Sequence, residues 1–97
     1  MKEFRQLVEA GQATVLGRPN NRKTMYSLGF NNKDVLEEVK NLAFKDFVKR
    51  DFDRNHELEW VWIFKKRIEK IDIYIKIQNR NNHGFVISFH ETDEGGV

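Results

Sequence analysis

Two runs in the C-terminal third alternate between apolar and polar positions, Ile71 to Ile77 (IDIYIKI) and Phe85 to His90 (FVISFH). A period of two is the mark of a strand buried on one side only. Ile71, Ile73, Ile75 and Ile77 would form a core face on the first run, and Phe85, Ile87 and Phe89 would form one on the second. Asp72, Tyr74 and Lys76 then share the opposite face with Ser88 and His90. A phenol, an ammonium, a hydroxyl and an imidazole could converge on one patch there.

The first half of the chain follows the helical period instead. Phe4, Leu7 and Val8 fall at i, i+3 and i+4, with Gly11 placed to end a short helix over residues 2 to 10. Ala13 to Leu16 is β-like, Gly17 to Asn21 is a breaker cluster, and Arg22 to Leu28 reads as a helical turn stopped by Gly29. Asn31 or Asn32 can cap a helix from Lys33 to Leu42, whose Val35, Leu36, Val39 and Leu42 make one apolar face. Phe44 to Phe52 fits a strand or a helical extension, with the strand favoured. Leu58 to Arg67, Ile71 to Asn79 and Phe85 to Glu91 read as three strands joined by short links, the second being the Asn-rich stretch Asn79 to Gly84. Short links make a meander, so the expected fold is α+β, with N-terminal helices packed on a C-terminal antiparallel sheet. Residues 1–97 suit a single domain, with a tail, 91–97, expected to fray.

Composition narrows the chemistry. Cysteine is absent, which removes disulfides, thiolate metal sites and cysteine nucleophiles. Neither the three histidines nor the acidic stretch Asp51, Asp53, Glu57 and Glu59 has the spacing of a metal-ligand motif, so no metal or other cofactor is expected. No run approaches the roughly 18 apolar residues of a membrane span, and the N-terminus lacks the apolar segment of a signal peptide, so a cytoplasmic protein is expected. Net charge is only +2, yet between Trp60 and His90 six basic residues face two acidic ones. A basic surface on adjoining strands suits a polyanion such as RNA, although lysines that guard a solvated sheet edge would read the same way.

Within that surface Tyr74, Lys76 and His90 have the parity to work together, and Lys49 and Lys65 can join from neighbouring strands. Such a set can take a proton from a ribose 2′-hydroxyl, stabilise phosphorane charge and protonate a leaving oxygen. The plain alternative is a half-exposed strand with His90 at its end. A generic solvated face mixes signs, however, and this one carries no acid after Asp72. Trp60, Trp62 and Phe64 share one side of their strand and could stack bases, but their size favours the core. If they are core, Lys65 and Arg67 join the basic face. His56 and His83 are expected to be exposed and incidental.

The order of segments resembles the motility quorum-sensing regulator (MqsR) toxins of bacterial type II toxin–antitoxin systems. The pieces are LVEAGQ (Leu7 to Gln12), LGFNNKDVLEEVKNLAFKDFVK (Leu28 to Lys49), Trp60, IYIKI (Ile73 to Ile77) and VISFHE (Val86 to Glu91). The resemblance implies a RelE-like fold and a ribosome-independent endoribonuclease that cuts messenger RNA and is restrained by a cognate antitoxin. It also implies that Lys49 and Tyr74 match residues linked to activity. Val61 stands where the family has glutamine, and His90 where it has lysine, which exchanges a cation for a group able to serve as acid or base.

The sequence therefore supports a metal-independent ribonuclease in which Tyr74, His90 and Lys49 are catalytic and Lys65, Lys76 and Arg67 hold RNA. A second reading is a non-catalytic RNA- or protein-binding module using the same face. A third is a structural partner protein that pairs through a sheet edge.

Overall fold

The structure, a computed structural model, describes residues 2–53 and 59–92. His56, Glu57 and the tail beyond Thr92 lie outside the described residues. The chain runs through α1 (Lys2–Glu9), β1 (Ala13–Val15), α2 (Pro19–Leu28) and α3 (Asn32–Lys40). A 3-10 turn (Phe44–Asp46) then leads to β2 (Phe47–Asp53), β3 (Glu59–Ile68), β4 (Ile71–Arg80) and β5 (His83–Glu91).

Local chemistry accounts for the boundaries. Asn31 and Asp34 form a reciprocal capping box at the start of α3, each side chain accepting the other's backbone N–H at 2.9 Å. Gly29 ends α2 in the left-handed region, at φ 70°, which a glycine adopts at little cost. The β3–β4 and β4–β5 connections are two-residue turns with positive φ at each position, Glu69–Lys70 and Asn81–Asn82. That geometry matches the right-handed twist of a hairpin. The expected loop from Asn79 to Gly84 thus contracts to Asn81 and Asn82, and His83 becomes the first residue of β5.

The sheet order is β1-β5-β4-β3-β2. The expected α+β class holds, with β2 to β5 forming the antiparallel C-terminal sheet; the N-terminal β1 joins its margin and makes the whole sheet mixed. β1 runs parallel to β5, from Ala13 opposite Gly84 to Val15 opposite Val86. Helices α1 and α3 lay Phe4, Val35 and Val39 over Phe64, Ile73, Ile75, Ile77, Val86 and Phe89, which form the buried core. Gly84 is needed in this packing, because a Cβ there would stand 2.9 Å from the Phe4 ring.

Two expectations about which side chains face the core are corrected. A β-bulge shifts the register of β5, so Ser88 opposes Lys76 but Val86, not Ile87, opposes Ile77. The extra residue inverts the alternation beyond it. Phe89 and Val86 therefore face the core, while Phe85 opposes Gln78 on the other face. On β3 only Phe64 of the three aromatics is fully core. Trp62 is half-buried and Trp60 is 43% exposed, because the sheet extends past the helix layer. There Trp60 meets Phe52 edge-on at 5.1 Å between centroids, and the Arg50 guanidinium lies 4.3 Å from the Trp60 ring centre.

Helix α2 completes the β5 edge where β1 stops. The Asn21 side chain, fully buried, donates to the carbonyls of Ile87 at 2.9 Å and Leu16 at 3.0 Å, and accepts the Phe89 N–H at 2.9 Å. One turn later the Thr24 hydroxyl accepts the Glu91 N–H at 3.0 Å. Two side chains thus stand in for the missing strand, which also fixes the start of α2 beside Ser88 and His90.

Candidate functional site

The face opposite the helices is where the polar residues of β2 to β5 gather, and the register arranges them in rows. One row runs Lys65, Tyr74, His90 across β3, β4 and β5. The next runs Lys49, Ile63, Lys76, Ser88 across β2 to β5. Neighbouring strands lie about 4.8 Å apart and alternate residues in a strand about 7 Å apart, so the two rows make one compact patch. Val61 and Ile63, although on this face, are buried beneath the longer side chains and give it an apolar floor.

Tyr74 and His90 are direct neighbours, with ring centroids 5.4 Å apart and planes tilted by 30°. His90 Nδ1 lies 3.1 Å from the Glu91 carbonyl oxygen. A carbonyl can only accept, so Nδ1 carries the hydrogen and Nε2 of the neutral ring is left with the lone pair. Burial, and after it the charge of the Asp51 carboxylate, raises the pKa of the Tyr74 phenol above its ordinary value. At neutral pH Tyr74 is therefore a proton donor. The two rings offer opposite capacities, one to accept a proton and one to give it.

Cations surround this pair unequally. Lys76 has no carboxylate partner among the described residues, whereas Lys49 Nζ lies 3.8 Å from Asp51 Oδ2 on the same face. The expected absence of acid beyond Asp72 is thereby corrected, since Asp51 arrives from β2. Arg67 shares the face but pairs with Asp72 at 3.2 Å, at the end nearest the Glu69–Lys70 turn. At the opposite end Gln78 stands across from Val61, so this face does carry a carboxamide, contributed by β4. Gln78 accepts a hydrogen bond from Arg80, whose guanidinium lies 4.9 Å from the centre of the Phe85 ring. His83 is anchored by Thr14 at 2.8 Å and packs on Phe85, so it is a structural member of the strand end.

The structure thus brings Lys49, Lys65, Tyr74, Lys76 and His90 onto one surface and leaves Arg67 at its margin. Alternation alone found the β4 and β5 members. Asp51 was hidden because a second register shift, between Phe47 and Lys49, sets the facing of β2. Beside His90 a pocket opens that is lined by Arg18, Pro19, Asn20, Asn21 and Ser88. No local pattern linked Arg18 to this strand, since the contact crosses about 70 residues of chain. Among the described residues no three His, Asp or Glu side chains gather as metal ligands do. No helix of the described chain is long and apolar enough to cross a membrane.

No curated protein matches the chain at a significant level. Residues 1–91 match the family described as motility quorum-sensing regulator, toxin of MqsA. With that match spanning all the described elements, the chain belongs to the motility quorum-sensing regulator family, toxins of toxin–antitoxin systems.

Proposed function

We propose that this toxin is a metal-independent endoribonuclease that cleaves messenger RNA in the cytoplasm by attack of a ribose 2′-hydroxyl on its neighbouring phosphate. The observation that carries the reading is the Lys65, Tyr74, His90 row with Lys76 one step along. His90 Nε2 takes the 2′-hydroxyl proton as the O2′–P bond forms. Tyr74, held as the phenol, gives its proton to the 5′-oxygen as the P–O5′ bond breaks. Lys76 and Lys49 stabilise the added charge on the phosphorane oxygens, and Lys65 and Arg67 hold the strand. The products are a 2′,3′-cyclic phosphate and a free 5′-hydroxyl. Membership of a toxin family supports the reading, as does the cognate antitoxin such a family implies.

The test is cleavage of a long RNA in excess chelator, with both new ends mapped. His90→Ala and Tyr74→Phe are each expected to lower the rate about 10²- to 10⁴-fold, the usual range for a lost acid or base. Full activity in both variants would overturn the site assignment. Expression that neither halts growth nor degrades messages would overturn the ribonuclease reading.

A second reading, a non-catalytic RNA- or protein-binding module, is favoured by the apolar floor of Val61 and Ile63 between the cations. It requires salt-sensitive RNA binding or a stable protein complex, and no cleavage products in either case.

A further inference from the structure

The start of α2 presents an anion-binding geometry that the chemistry above leaves unused. Pro19 occupies the first helical position, so the first free N–H groups of the helix belong to Asn20 and Asn21. Arg18, the N-cap residue, makes no side-chain cap, and its exposed guanidinium has no partner among the described residues. The Asn21 carboxamide is fully committed to Leu16, Ile87 and Phe89, so it holds the helix end in place and leaves the backbone to do the binding.

Ser88 is the independent observation. It lines the same pocket, is only 6% exposed, and its hydroxyl has no hydrogen-bond partner among the described residues. A nearly buried hydroxyl that faces a pocket and has no protein partner is available to bond a ligand oxygen in place of water. Among the described residues the pocket is lined by no carboxylate, while His90 forms one wall and Lys76 lies directly across from Ser88.

We propose that this pocket is a subsite for an RNA phosphate diester flanking the one that reacts. It rests on the ribonuclease reading for the place of the reacting phosphate. Arg18 supplies charge, the Asn20 and Asn21 amides and the helix dipole supply directed donors, and the Ser88 hydroxyl supplies a third contact. RNA then crosses the sheet from Lys65 through Tyr74 and His90 to α2. The subsite positions the strand; it does not touch the reacting atoms.

The test uses a non-cleavable 2′-O-methyl oligonucleotide and the full chain, with Kd followed against salt. Arg18→Ala is expected to weaken binding several-fold and to reduce the salt slope by about one, the signature of a lost phosphate contact. Ser88→Ala is expected to weaken binding with the slope unchanged, because no charge is lost. In wild type the Asn20 and Asn21 amide resonances shift on titration with the oligonucleotide, and a single neutral methylphosphonate at the flanking linkage abolishes that shift. Unchanged affinity and slope in Arg18→Ala, with unmoved amides, would overturn the subsite. A wild-type chain that binds in this way yet fails to cut unmodified RNA leaves the subsite standing and removes the ribonuclease reading; cutting without these signatures does the reverse.

Discussion

The two edges of the sheet are finished in opposite ways. At the β5 edge every stage is covered, first by β1 from Ala13 to Val15 and then by the Asn21 and Thr24 side chains. At the other, β2 is the outermost strand and carries exposed Val48, Lys49, Arg50 and Phe52. Its defences are local: a register shift, charged side chains, and an Asp51 carboxylate that accepts the Phe52 N–H at 2.9 Å. The covered edge adjoins His90 and the α2 pocket. Precision of placement therefore belongs to the side built from distant parts of the chain, while β2 on the open side contributes one cation to the polar face, Lys49, on an exposed strand.

Removing the cover should show the contrast most strongly. Asn21→Ala leaves the Ile87 carbonyl and the Phe89 N–H buried without partners, and is expected to cost about 3 kcal/mol in urea unfolding, since each orphaned group costs about 1–3 kcal/mol. A loss near zero would mean that water replaces the carboxamide and that the edge is not closed by α2. Thr24→Val removes one contact near the strand end, and about 1 kcal/mol is expected from the same measurement. Hydrogen exchange sharpens the comparison without mutation. The Phe89 amide should exchange orders of magnitude more slowly than that of Phe52, and equal rates would erase the distinction between the edges.

The smallest effect links the open edge to the site. Asp51→Asn removes the negative charge that helps hold Tyr74 in its neutral form, so the tyrosinate absorbance midpoint should fall. It should nevertheless stay above the ordinary value of 10.0, because burial is the larger cause and is untouched. An unmoved midpoint would separate β2 from the chemistry of the face.

Much of this was legible in the chain, and the illegible parts share a cause. The α3 face, its Asn31 cap, the Gly29 stop and the alternation of β4 are local patterns of period and capping, and they stand in the fold as read. The facing of Tyr74, Lys76 and His90 followed from that alternation. Phe85 did not, because a bulge is a property of the paired strands and leaves the pattern FVISFH unchanged. Trp60 was assigned to the core from its size, yet how far the helices cover β3 depends on packing that no strand encodes. Asn21 read as part of a breaker cluster. Its role is set by strands more than 60 residues away.

The two margins also differ in the length of ladder they present to another chain. Beside β5 the terminal strand is β1, only three residues long, and past it the Asn21 and Thr24 side chains occupy the β5 groups that a longer neighbour would pair with. β2, seven residues long, is the margin with the longer unpaired row. A variant lacking the Asn21 carboxamide is therefore expected to expose a second such row, on β5.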